Sequence, residues 1–101
     1  MSKVYFTITG IDYYYGLSVF KKNMEVNIIK EPDNRYDHEA IKAEIKGLGK
    51  VGYVANSTHT VLGESLSAGR MYDKIGKKAK AVVKAVTPRG IICSVKKKDL
   101  K

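Results

Sequence analysis

The chain has 101 residues, 44% of them hydrophobic, and a formal net charge of +9. That length allows one core and excludes a second domain. No run of about twenty apolar residues exists, which excludes a membrane-spanning helix, and a single cysteine, Cys93, excludes an internal disulfide.

Residues 3–9 predict a strand, with Val4, Phe6 and Ile8 alternating against Lys3, Tyr5 and Thr7. Gly10 ends it, and residues 11–16 form a bend crowded with tyrosines. Residues 24–30 predict a second strand, whose apolar residues run together toward its end. Pro32 then blocks further pairing because it offers no backbone donor. Residues 41–46 alternate as a strand with one wet face. Gly47-Leu48-Gly49 connects it tightly to a strand over residues 50–54, giving a hairpin. On this register Ile41, Ile45, Val51 and Val54 face the core, with Lys42 and Lys46 outside.

Asn56 and Ser57 suit the cap of a short helix, along which Val61, Leu62 and Leu66 form an apolar stripe up to Gly69 at its C-terminus. Residues 79–86 and 91–95 predict two more strands joined by the turn Thr87-Pro88-Arg89-Gly90. The basic tail, residues 96–101, is expected to fray. Roughly six strands and one helix predict a mainly β, small, partly closed six-stranded barrel, similar to OB or SH3-like barrels. The start reads as a strand and not as a signal peptide, and with one thiol the expected compartment is the cytoplasm.

The charge is uneven. Residues 1–73 hold nine Lys or Arg and nine Asp or Glu, whereas residues 74–101 hold ten Lys or Arg against Asp99 alone. Such asymmetry fits a polyanion, nucleic acid first and an anionic membrane surface second. Lysine-rich edge strands that keep a small domain soluble explain it equally well.

Evidence for catalysis is sparse. His38 and His59 have no nucleophile beside them, Ser57 and Ser65 lack an elbow-type glycine context, and Cys93 falls mid-strand as an inert, buried thiol. Gly47-x-Gly49-Lys50 is too short for a phosphate loop and joins two strands. Asp33, Asp37, His38 and Glu39 offer oxygen and nitrogen donors without the spacing of a known cation loop. Asp33 and Asn34 suit turn positions instead. No cofactor is expected.

Seven tyrosines carry more weight. An aromatic face accepts any base, with stacking worth about 1–3 kcal/mol per base. Adjacent residues of an extended segment point oppositely, so among Tyr13, Tyr14 and Tyr15 one is expected inward and another in solvent. All three as core or rim packing is the plainer alternative. Tyr36 has no apolar partner nearby in sequence.

The stretch Glu31-Pro-Asp-Asn-Arg-Tyr-Asp-His-Glu-Ala-Ile41, followed by the Gly52-Tyr53-Val54 strand, resembles the HIRAN domain. The resemblance extends upstream to Phe6-Thr-Ile-Thr-Gly10 and Tyr13-Tyr14-Tyr15-Gly16, covering most of residues 4–70. It implies a small β-barrel that, in fork-remodelling helicases, binds single-stranded DNA and captures its 3′ end. Carried over by position, Tyr13 and Tyr14 match the family's first aromatic pair, and Asn34, Tyr36 and Asp37 match the loop holding the terminal nucleotide. Asp37 would accept a hydrogen bond from a free 3′-hydroxyl and repel a 3′-phosphate.

Two departures stand out: Asp12 where helicase-fused members carry a basic residue, and Tyr53 where some carry an imidazole. Arg35, Lys50 or the basic segment with Lys77, Lys78 and Lys80 would compensate. The expected function is non-enzymatic binding of single-stranded DNA at or near a 3′ end, in replication, repair or mobile-element biology. The expected partner is a helicase or nuclease made as a separate chain, with no membrane. An adaptor that lost the DNA pocket, and a metal-dependent nuclease using the acidic loop, are the alternatives.

Overall fold

A computed structural model describes residues 3–101. Six antiparallel strands form a closed barrel: β1 (Tyr5–Thr9), β2 (Glu25–Lys30), β3 (Ile41–Ile45), β4 (Gly49–Val54), β5 (Lys78–Thr87) and β6 (Gly90–Val95). Around the barrel they follow the order β1-β4-β3-β2-β5-β6, with β6 returning to β1. The expected six-stranded β architecture forms, and its closure is complete, not partial. Among the described residues no helix is long and apolar enough to cross a membrane.

Alternation puts Phe6, Ile8, Val26, Ile28, Ile41, Ala43, Ala81, Val83, Ile91 and Cys93 inside, each fully buried. Ile11 and Phe20 join them from the β1–β2 connection. At about 25 cal/mol per Å² of apolar area, burying each large side chain contributes on the order of 1.5–3 kcal/mol.

The hairpin register holds, for a reason the alternation does not contain. Val51 and Val54 are both buried although three residues apart, which a period of two forbids. The β3–β4 pairing shifts at Ala43/Glu44, so that Glu44 opposes Lys50 while Ala43 opposes Gly52. Val51 is the extra residue of a bulge, and the bulge re-phases the strand. Ile45 is half-buried against the core and Lys46 is exposed.

Three expectations are corrected. The helix does not run through Val61, Leu62 and Leu66: α1 is Ala68–Met71, capped by Ser67, whose hydroxyl accepts from Arg70 N–H. Residues 57–66 instead make turns and reach the edge of β1 beyond its pairing with β4, where Leu66 bridges Phe6 in parallel and its N–H donates to Tyr5 O at 2.8 Å. The Leu66 side chain packs against the core.

Thr7, expected on the wet face, is consequently fully buried. Its hydroxyl donates to Ser65 Oγ at 3.1 Å and accepts from Leu62 N–H at 3.1 Å.

Nor is the tail without fixed contacts. Residues 97–99 form a 3-10 turn, Lys96 N–H donates to Lys80 O, and Asp99 Oδ2 accepts from Lys80 N–H at 2.7 Å. Leu100 bridges Ile75. The backbone groups at the start of β5 are thereby satisfied by the chain's own end.

Thr7→Val preserves shape but deprives the crossing segment of both side-chain hydrogen bonds. Urea denaturation should show a loss of about 1–3 kcal/mol, the usual cost of orphaning buried polar partners. An unchanged midpoint would mean that Thr7 packs only through its methyl group.

Candidate nucleic-acid interface

The acidic stretch between β2 and β3 is a loop held by its own side chains. Glu31 N–H donates to Ala40 O at 2.8 Å, closing the loop at its base. Asn34 Oδ1 accepts from the N–H groups of Tyr36 and Asp37 at 2.9 and 3.0 Å. Asp37 Oδ1 accepts from Glu39 N–H at 2.9 Å. These are Asx-type contacts, in which a short polar side chain replaces backbone pairing. Asp37 Oδ2 also accepts from Asn56 Nδ2 at 3.0 Å, while Asn56 Oδ1 accepts from Gly69 N–H at 2.8 Å. Asn56 therefore does serve a helix start, that of α1, and ties the loop to it.

Glu31 anchors the other side. Its Oε1 accepts from Tyr53 Oη at 2.7 Å and from Asn34 Nδ2 at 3.1 Å, and Lys50 Nζ lies 3.5 Å from Oε2. Lys50 in turn donates to Tyr53 Oη at 2.7 Å and lies 4.8 Å from its ring centroid. The β4 bulge makes this possible, because it leaves residues 50 and 53 on the same outer face. Burial alone would raise the Glu31 carboxyl, but hydrogen bonds from Tyr53 and Asn34 and the Lys50 charge hold it below its ordinary value. The Tyr53 hydrogen bond, opposed by burial and helped by Glu31, raises the Lys50 ammonium. Burial, with the hydrogen bond to Glu31, raises the Tyr53 hydroxyl.

Two depressions meet here. A shallow cleft of about 280 Å³ is lined by Asn34, Tyr36, Asp37, Ala40, Tyr53 and Val54. It shares Asn34, Tyr36 and Tyr53 with a wider one of about 610 Å³ that adds Lys30, Arg35, Lys42, Lys50 and Lys77. Tyr36 is 95% exposed. Not every cation is available: Lys30 donates to Ile75 O and sits 4.3 Å over the Tyr72 ring, and burial holds its ammonium below the lysine range. Among the described residues Arg35 and Lys77 carry no ion pair.

The fold thus brings together Asn34, Arg35, Tyr36, Asp37, Tyr53 and Lys77, while Lys78 and Lys80 line a neighbouring depression with Lys77. Tyr13 and Tyr14 line neither cleft. Tyr13 is 89% and Tyr14 40% exposed, and Tyr15, also exposed, donates from Oη to Leu48 O. None of the three turns fully inward, because residues 11–13 form a 3-10 turn and Ile11 supplies the core contact. Tyr53, not Tyr13 or Tyr14, is the aromatic neighbour of Tyr36 in the cleft.

Glu31 and Asn56 are site residues that reasoning from residue type passes over. Glu31 has a signal, as the first residue of the acidic motif; Asn56 has none pointing to the loop. The acids of the loop do not converge: among the described residues no three His, Cys, Asp or Glu side chains gather to hold a metal ion. Cys93 is sealed in the core, where burial pushes its thiol up to about 12.

A family model described as the HIRAN domain matches residues 1–95. No curated protein matches the chain. Among solved structures, a crystal structure of a protein from Lactobacillus plantarum is similar, with a TM-score of 0.62 and 18% identity over 93% of each chain. The crystal structure of the HIRAN domain of human HLTF is also similar, with a TM-score of 0.60 and 18% identity over 93% of this chain and 74% of that one. At such identity these two structures speak for the fold.

Because the Glu31 carboxyl is held below its ordinary 4.5, its contribution to stability is complete above that pH. It is lost as the pH falls through the lower folded-state value. Glu31→Gln should therefore flatten the acid limb: denaturation at pH 6 and pH 4 should show a smaller loss for the variant than for wild type. Equal losses would show that the Glu31 charge does not stabilise the fold.

Proposed function

The chain belongs to the HIRAN domain family, and on that premise we propose that it binds single-stranded DNA, receiving a free 3′ end in the cleft beneath Tyr36. One observation carries the reading: an exposed aromatic face and a carboxylate share a cleft that opens directly into a cationic depression.

The parts divide the work by chemistry. Tyr36 offers a ring that stacks on any base, so affinity does not depend on sequence. Arg35, Lys50 and Lys77 supply charge to the phosphates that follow. Asp37 selects the end. Each of its oxygens accepts one hydrogen bond within the protein, and a carboxylate has about four acceptor sites. Acceptor capacity therefore remains for a 3′-hydroxyl, while a 3′-phosphate meets like charge. Tyr53 fills the place of an imidazole and keeps Lys50 at the cleft edge through its hydroxyl.

The role is binding without chemistry. Glu31 is engaged by Tyr53 and Asn34, Asp37 accepts from Glu39 N–H and Asn56 Nδ2, and the thiol is buried in the core. Such a module acts by bringing a helicase or nuclease to a DNA end during replication or repair.

Contact with about three to five phosphates sets the slope of log affinity against log salt near −2 to −3.5. Fluorescence anisotropy on labelled oligonucleotides measures it, and an affinity indifferent to salt would favour a protein adaptor instead.

Two substitutions separate stacking from end selection. Tyr36→Ala should weaken every single-stranded ligand by about 1–3 kcal/mol. Asp37→Asn should abolish the preference for a 3′-hydroxyl over a 3′-phosphate while the thermal melt confirms a folded chain. Preference that persists in a folded Asp37→Asn variant would make Asp37 a bracing carboxylate only.

A further inference from the structure

We propose that the DNA strand leaves the terminal cleft across the barrel, running in the 5′ direction over a row of side chains that register aligns on β4, β3, β2 and β5. The inference rests on the end-binding reading and adds the path, its polarity and its length.

The row is a consequence of pairing. Tyr53 pairs with Lys42, Lys42 with Ile29, and Ile29 with Lys78. All four alternate with buried neighbours and so face outward: Val54, Ile41, Ile28 and Ala79 point into the core beside them. Three strand spacings of about 4.8 Å make the row about 14 Å long. That accommodates no more than about four nucleotides at a stacked rise of about 3.4 Å.

Ile29 is the telling member. Ile28 already takes the core position, so a second isoleucine beside it contributes to no interior contact that alternation requires. It is half-buried on the outer face, with Lys42 and Lys78 opposite it on either side. Ile29 and Lys77 line both the wider cleft at Tyr53 and a further depression of about 570 Å³ that continues to Lys78 and Lys80. Glu44 and Asp99 share the wall of that depression, but Glu44 is paired with Lys42 and Asp99 accepts from Lys80 N–H. Ile29 thus offers an apolar floor for a base, and Lys77 and Lys78 the cations for its flanking phosphates.

The charges are graded along the path. Lys42 is paired with Glu44 at 3.0 Å, and Lys80 lies 3.8 Å from Glu25. Among the described residues Lys77 and Lys78 have no ion pair. The phosphates accordingly find their open partners at the β5 end of the row, not at its middle.

The test is affinity against length for oligothymidylates of about two to eight nucleotides ending in a 3′-hydroxyl. Wild type should gain affinity up to about four nucleotides beyond the terminal one and then level off. Lys78→Glu should remove that gain and make the salt dependence shallower by about 0.7, the share of a single phosphate. The shortest ligand and the preference for a 3′-hydroxyl should stay as in wild type.

Lys22→Glu, a charge reversal at an exposed turn outside the depressions, should keep the gain. Ile29→Ser should lower the plateau without changing the salt slope. A length dependence shared by wild type and Lys78→Glu, or equally reduced by Lys22→Glu, overturns the path. Should Lys78→Glu cancel the gain while no 3′-end preference exists at all, the path stands and the end-binding reading falls.

Discussion

Closing six strands into a barrel requires β1 to bond with β6 on one side and β4 on the other, and the β4 side leaves almost no room. The seam is short: Ile8 opposes Val54 and Thr9 opposes Tyr53. At Gly52 a Cβ would stand 2.7 Å from Ile8 Cγ2 and 2.7 Å from Thr9 O, far inside contact distance. A residue without a side chain is thus a condition of closure, not a loop ornament. The bulge at Val51 belongs to the same solution. It adds the residue that lets β4 bend toward β1, and bending is what bulges supply at barrel corners.

That geometric requirement reaches the site directly. By re-phasing β4, the bulge puts Lys50 and Tyr53 on one face, where Glu31 receives Tyr53 and lies beside Lys50. The loop then hangs between two fixed points. Glu31 holds it to β4, and Asp37 holds it to α1 through Asn56. Tyr36, between them, is left with its backbone bonded and its ring in solvent. Rigid backbone beneath an exposed ring reduces the ordering entropy that a stacking partner must overcome. The charge is similarly organised. Some of the 19 basic side chains are paired internally: Lys50 with Glu31, Lys42 with Glu44, and Lys80 and Lys96 with Glu25.

Much of the fold is legible in the residues. The six strands sit where alternation and turn chemistry put them, and Gly47 and Gly49 take the positive φ values their tight connection needs. The failures share a cause. Val61, Leu62 and Leu66 carry apolar side chains at helical spacing, yet the segment ends in a bridge to the edge of β1, a strand some fifty residues earlier. The lysines of the tail argue for solvation, although Asp99 and Leu100 are the residues that bond it to β5 and Ile75. In each case a long-range partner, invisible to any local window, outweighs local propensity.

The site divides along the same line. The sequence by itself determined the chemistry of the loop, because Asn and Asp at set offsets bond their own nearby backbone whatever surrounds them. It also determined that the excess charge lies after residue 73, which is a matter of counting. Only the tertiary structure decided which aromatic stands beside Tyr36, choosing Tyr53 over the tyrosines of residues 13–15. Only it set Tyr53, Lys42, Ile29 and Lys78 in one row, since that alignment arises from the register of four strands that a bulge and a barrel closure jointly impose. Local contacts need a few residues of chain, whereas register is settled by the whole ring of strands at once.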